Sequence, residues 1–247
     1  RARAPQTAPA GLRDIAMSAP HASPPARIRG VNLGGWLVLE KWMTPSLFAG
    51  LEATDETTWC AELGDRAPSL LRAHWERFVT REDFAWLAGV GINAVRIPLG
   101  HWLFGPPYPY HAKYGANPHP FVTGGVDVLD RAMAWAAEFG LGVVLDLHAA
   151  PGGQNPDWHS DNRTGVPQFW EFVLFREKTA KLWGEIARRL CGYEYLLGYD
   201  LLNEPAMASW DALNDFYAQA ISEIRAHDPF HAIVLEGDLF AMDFSGL

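Results

Sequence analysis

The sequence predicts an α/β fold of the (β/α)8, TIM-barrel type, carried through about five of the β/α units that such a barrel repeats. Three observations lead there. From Ile28 onward, short apolar runs alternate with longer amphipathic stretches, the rhythm of β/α units around a parallel sheet. The runs lack polar alternation, as strands covered on both faces do. Each run also ends in polar or ionisable residues, and the carboxyl ends of barrel strands form the catalytic face.

Strands are expected at about 28–34, 92–97, 142–147, 195–202 and 231–236, and helices at about 66–90 (broken), 124–140, 166–190 and 208–227. Within 124–140, Val128, Leu129, Ala132, Met133 and Trp135 supply an apolar face. Gly91-Ile92 and Gly140-Leu141 read as turns in which glycine takes the left-handed cap of the preceding helix, and Asp228-Pro229 ends the last helix. The apolar run from Tyr195 to Leu202 stops at Asn203-Glu204-Pro205, because Pro205 has no N–H for a ladder and keeps Glu204 out of helical geometry. Two long segments, about 99–123 and 149–165, follow strands and so belong to the catalytic face; long loops in compact domains usually carry function or are disordered. Residues 1–27, rich in Ala, Pro, Arg and Ser, read as a disordered leader, leaving 28–247 as one partial-barrel domain.

Composition narrows the partners. A hydrophobic content of 49% over 247 residues supports a large core. The formal charge of -9 and the lack of a Lys/Arg run argue against nucleic acid or an anionic membrane surface and favour neutral substrates. Eleven Trp supply broad apolar faces that fill a core or stack on the C–H faces of sugars. Cys60 and Cys191 stand far apart, outside any Cys-x-x-Cys motif, so neither a zinc site nor a disulfide framework is indicated. No membrane span and no apolar signal-peptide core is visible, and the compartment stays open.

The strand ends carry the chemistry. The first ends in Asn32-Leu33-Gly34-Gly35-Trp36 and continues to Glu40; the second carries Arg96 before Pro98; the third ends in Asp146-Leu147-His148, the fourth in Asn203-Glu204, and the fifth in Glu236-Gly237-Asp238. One buried charge can be a structural ion pair, whereas several at equivalent ends indicate a site. Glycoside hydrolysis with retention needs two carboxyls about 5–5.5 Å apart, one to protonate the leaving oxygen and one to attack the anomeric carbon. Glu204 suits the acid/base role, and Asn203 suits a bond to the sugar 2-hydroxyl. Arg96 either orients a nucleophilic carboxylate or makes a structural pair. His148 either bonds a sugar hydroxyl or is a satisfied core histidine.

The stretch Arg29-Gly30-Val31-Asn32-Leu33-Gly34-Gly35-Trp36-Leu37-Val38-Leu39-Glu40, followed by Met43-Thr44-Pro45-Ser46-Leu47-Phe48, resembles the opening of exo-β-1,3-glucanases of glycoside hydrolase family five. Asn93-Ala94-Val95-Arg96-Ile97-Pro98, then Asp146-Leu147-His148-Ala149-Ala150-Pro151-Gly152-Gly153-Gln154-Asn155, then Leu201-Leu202-Asn203-Glu204-Pro205 follow in that family's order. The resemblance implies that Glu204 is the proton donor and that Glu40, Arg96, His148 and Asn203 line the subsite of the cleaved sugar. It also implies sugar-pocket roles for Asp161 and Asn162, and places His101-Trp102 where the glucanases show an aromatic pair, making Trp102 a substrate contact. No cofactor or metal is implied. The chain departs from the family at the nucleophile, a glutamate ending strand seven, and lacks the His-Tyr pair and aromatic platform of strands six to eight. Glu236 belongs by order to strand five.

The leading reading is the N-terminal part of a retaining glycoside hydrolase acting on β-linked oligo- or polysaccharide, its barrel completed by a second chain or a C-terminal segment. A non-catalytic carbohydrate-binding remnant is the alternative. A metal-dependent hydrolase using Asp146, His148, His159 and Asp161 fits less well, because Asp146 and His148 lack a matching His-x-His site.

Overall fold

The structure is a computed structural model that describes residues 27–105, 121–160 and 165–247. The expected leader, save Arg27, and the residues Asp161 and Asn162 lie outside the described residues. Five strands, β1 (Gly30–Asn32), β2 (Ala94–Gly100), β3 (Gly142–Ala149), β4 (Leu196–Asp200) and β5 (Ala232–Val234), form one sheet. All pairs are parallel and strand order follows chain order, with registers such as Gly30↔Ala94, Ala94↔Gly142 and Gly198↔Ala232. A doubly wound sheet would reverse direction at a switch point. Every crossover here steps the same way, which is how a barrel wall grows. Among the described residues, β1 and β5 each have one side without a strand.

The helices refine the sequence pattern. The segment expected at 66–90 is two helices, α2 (Ala67–Arg77) and α3 (Arg81–Gly89). They part at Thr80, whose N–H donates to Asp83 in a capping box that starts α3 afresh. Before them comes α1 (Glu56–Leu63), which hydrophobic period did not reveal; the Asp55/Thr58 capping box starts it. After α4 (Val126–Phe139), Gly140 takes the left-handed cap expected of it, at φ 68°. The segment expected at 166–190 is likewise split, into α5 (Gln168–Glu171) and α6 (Val173–Leu190), with Phe172 extended between them. Arg176 of α6 donates to the Phe169 and Trp170 carbonyls, satisfying the end of the short helix. The last helix, α7, spans Trp210–Arg225.

The core lies between the sheet and these helices, where Trp36, Trp59, Trp75, Trp183, Phe84 and Phe216 are fully buried. Indole N–H groups also carry structure. Trp183 of α6 donates to the Leu201 carbonyl at 3.0 Å, fixing the chain as it leaves β4. Pro98 is tolerated within β2 because β1 pairs only as far as Arg96, so no partner on that side is left waiting for its N–H.

The β4–β5 contact leaves no room for a side chain at Gly198, where a Cβ would fall 2.5 Å from the Ala232 carbonyl oxygen of β5. Gly198→Ala should therefore destabilise the chain by about 1–3 kcal/mol in denaturant unfolding. Unchanged stability would contradict this register.

Candidate active site

The first loop is shaped by two glycines. A Cβ on Gly34 would lie 2.8 Å from Met43 Sδ and 3.0 Å from Glu40 Oε1, and Gly35 sits at φ 67°. The chain can thus fold back and bring Glu40 to the rim above β1. There Gly35 N donates to Glu40 Oε1 at 3.0 Å and Trp42 Nε1 donates to Oε2 at 2.9 Å. Both carboxylate oxygens are held, so the side chain has a fixed orientation.

Arg96, in β2, is the hub of the rim. Its Nη1 lies 2.9 Å from Asp146 Oδ2 of β3, its Nε donates to Asp200 Oδ2 of β4 at 2.8 Å, and its Nη2 donates to Glu236 Oε1 at 3.1 Å. Nη2 also donates to Asn203 Oδ1 at 2.9 Å. Three carboxyl groups face one guanidinium, and they cannot all ionise cheaply. Burial, then the charge of Asp200, pushes Glu236 up to about 7. Burial, then the charge of Asp146, pushes Asp200 up to about 6. Asp146 is likewise held well above the usual carboxylate range by its burial, with Arg96 opposing. Although burial works against its charge, Arg96 is held above its ordinary value by the carboxylates around it.

From this hub the order spreads to both sides. His148 Nδ1 lies 2.7 Å from Asp146 Oδ2, and burial pushes the imidazole down to about 4, so it is neutral near pH 7. Its Nε2 points towards Glu40 Oε1 at 4.0 Å. On the other side, Glu236 Oε2 accepts from Glu204 N at 2.7 Å, and Asn155 Nδ2 donates to Glu204 O at 2.9 Å. These bonds hold Glu204 at φ 48°, a left-handed conformation that a non-glycine residue keeps only when its surroundings impose it. Its carboxyl side chain is 43% exposed and lies 3.5 Å from His159 Nε2. Gln154, fully buried, donates to the His148 and Asn203 carbonyls at 2.8 and 2.9 Å, tying the end of β3 to the chain beyond β4.

Glu40, Arg96, His148, Asn203 and Glu204 are therefore brought together on one rim. Trp102 is not. It is 1% exposed and stacked on Phe121 at 4.1 Å, inside a small apolar cluster with Val38 and Ala149, so its ring presents no face to the cleft. The expected sugar contact is corrected to a packing role, which Gly100 permits by leaving space under the indole. Four residues of the rim escaped the sequence reading of the site. Asp200 was read as part of an apolar strand, though a lone acid in a buried strand demands a partner. Gln154 and Asn155 entered only as parts of a motif. Trp42 left no signal. His159, considered only as a metal ligand, packs 5.0 Å from the His148 ring, and burial lowers its pKa. Among the described residues, no group of three or more His, Cys, Asp or Glu side chains is placed to hold a metal ion.

Two predictions follow from the hub. Arg96→Met strands buried carboxyls without their cation and should cost about 3–5 kcal/mol in denaturant unfolding. The second concerns pH. Folding raises the Glu236 carboxyl from 4.5 to about 7, so across that interval the folded chain binds more protons than the unfolded one. The associated stability is present below pH 4.5 and is lost as pH rises through 7. Glu236→Gln, which never ionises, should lose less stability than the unsubstituted chain between pH 5 and pH 8. Parallel stability–pH curves would contradict the assignment.

Comparison with known proteins agrees with the geometry. Residues 64–245 match the Cellulase family, glycosyl hydrolase family 5. The chain is 40% identical over 216 residues to a probable glucan 1,3-beta-glucosidase A of Emericella nidulans, covering 85% of this chain and 51% of that protein. It is 35% identical over 219 residues to a beta-xylosidase of Phanerodontia chrysosporium, covering 88% and 44%. The chain thus spans about half the length of the curated relatives it matches. Among solved structures, rutinosidase from Aspergillus niger superposes with a TM-score of 0.73 at 19% identity, covering 85% of this chain and 62% of that one. Endoglucanase Cel5A from Thermotoga maritima gives 0.55 at 21%, covering 89% and 55%. At these identities the likeness concerns the fold, in which the five parallel strands are part of a (β/α)8 barrel. With its rim residues converging at the strand ends and most of its length matched, this chain belongs to the Cellulase family, glycosyl hydrolase family 5.

Proposed function

We propose that the chain carries the acid/base half of a retaining glycoside hydrolase acting on β-glucan or β-glucosides, with Glu204 as the proton donor. One observation carries this reading: Glu204 leaves β4 in a left-handed conformation, clamped by Glu236 and Asn155, with its carboxyl exposed beside His159. Strained backbone is maintained where a side chain must be aimed. The names of the curated relatives, glucan 1,3-beta-glucosidases among them, support the substrate class.

In this reading a β-linked glucosyl unit sits over the rim, held by Glu40, Arg96, His148 and Asn203, with Asp161 and Asn162 as further contacts. Glu204 protonates the leaving oxygen and then, as carboxylate, deprotonates the water that releases the covalently held sugar. Asn203 donates to the 2-hydroxyl, where a bond strengthens as the oxocarbenium character grows. The attacking carboxylate is a different group. Glu236 is unsuited to it, because one oxygen accepts from Arg96 and the other from the Glu204 backbone. We place the nucleophile outside these 247 residues, on a further segment or second chain that packs on the open sides of β1 and β5. Exposed Phe230 and Val234 on the β5 side suit such a covering.

The role of Glu204 is tested in the complete gene product. Glu204→Gln should lower kcat on laminarin-type oligosaccharides by about 10²–10⁴-fold and have far less effect on glycosylation by an aryl glucoside whose leaving group needs no proton. Equal losses on both substrates would exclude the proton-donor role. The 247-residue chain alone should show negligible turnover. Robust Glu204-dependent turnover would place the nucleophile within it, and saturable sugar binding without hydrolysis by the complete product would favour the carbohydrate-binding alternative.

A further inference from the structure

The loop that carries Glu40 is pinned from inside the fold. Three bonds tie it to α1 and to the chain leading into that helix: Leu39 N donates to Glu56 Oε2, Lys41 Nζ to the Ala53 carbonyl, and Trp59 Nε1 to the Leu47 carbonyl, each at 2.8 Å. The first is made by the residue next to Glu40 in the chain. Leu39 is 1% exposed, so its N–H would be stranded if Glu56 were removed.

A carboxyl is a poor space-filler at this place. Glu56 is 2% exposed, and its Oε1 has no hydrogen-bond partner among the described residues. Burial pushes it up to about 8; the Leu39 N–H and the Trp102 indole oppose the rise, and the charge of Asp55 adds to it. The nearby basic groups do not offset this. Lys41 is engaged at Ala53, and His101, packed against Trp102, is pushed down to about 3 by burial and carries no charge near pH 7. Near pH 7 the group is therefore a neutral acid whose Oε2 holds one backbone N–H. An apolar side chain would pack as well but could not accept that bond.

We infer that Glu56 is a positioning residue for Glu40: by holding the Leu39 N–H, its carboxyl keeps the adjoining Glu40 where Gly35 N and Trp42 Nε1 bind it. The inference deepens the proposed function, since it takes Glu40 to hold sugar. The hold is lost as pH rises through about 8, because an anion in these apolar surroundings is relieved only by water reaching it, which parts α1 from the loop.

The test follows the Trp42 Nε1–H resonance in the complete gene product labelled in its tryptophans, the signal being assigned by its loss in Trp42→Phe. It should shift as pH passes about 8. Glu56→Gln, which cannot ionise and still offers an oxygen to Leu39 N, should keep it fixed across that range; Glu56→Ala should displace it already at about pH 6. An undisplaced signal in Glu56→Ala overturns the inference, and if that variant does not fold, a pH shift that persists in Glu56→Gln does so. Calorimetric titration with laminaribiose, in the Glu204→Gln background that blocks turnover, reads the consequence. Glu56→Ala should weaken binding by about tenfold, the cost of one stranded buried N–H, and should add no loss once Glu40 is alanine. Additive losses would mean that Glu56 does not act through Glu40. If no β-glucan is bound or hydrolysed by the protein with Glu204 intact, the proposed function fails, while the Trp42 resonance still decides whether Glu56 positions Glu40.

Discussion

The rim depends on one constraint: a single guanidinium, Arg96, stands among the carboxyls of Asp146, Asp200 and Glu236, drawn from successive strand ends. Taking several ionisable groups out of water costs more than their attraction returns unless geometry and protonation are matched. Here the match consists of one fixed cation, hydrogen bonds from Nε and Nη2, an ion pair from Nη1 to Asp146, and carboxyls pushed towards their protonated forms. Such a cluster contributes little to stability over an apolar equivalent. Its value is positional, because each member is fixed by the others.

What it positions is the site. Asp146 orients His148, which faces Glu40; Glu236 receives the Glu204 N–H and, with Asn155, imposes the left-handed turn. The strain at Glu204 is thus sustained by Asn155 in the loop after β3 and by Glu236 after β5, itself held by Arg96 of β2. The parallel order of the sheet makes this possible, since it brings consecutive strand ends to neighbouring places on one rim.

Much of this was legible in the sequence. Short apolar runs located all five strands, and for β2, β3 and β4 the lack of polar alternation reflects cover on both faces. Glu204 and Asn203 were marked by Pro205, and Glu40 by its place after the Gly34-Gly35 turn. The illegible part was three-dimensional. Asp200 was hidden in an apolar run because its partner, Arg96, is 104 residues away. Trp102 misled because a tryptophan reads alike whether it faces a ligand or stacks on Phe121. The breaks at Thr80 and Phe172 were set by capping and by Arg176, which act locally and leave hydrophobic period almost undisturbed.

The proposed role of Glu204 is to give and take protons and not to attack the sugar. Its most direct test is the anomeric configuration of the product formed when the complete gene product carrying Glu204→Ala acts on an activated aryl β-glucoside in azide. With the acid/base carboxyl gone, azide enters the vacated space and displaces the enzyme's own nucleophile from the covalent intermediate, giving β-glucosyl azide. An α-glucosyl azide would mean that azide had replaced the nucleophile itself, and would contradict the role assigned to Glu204.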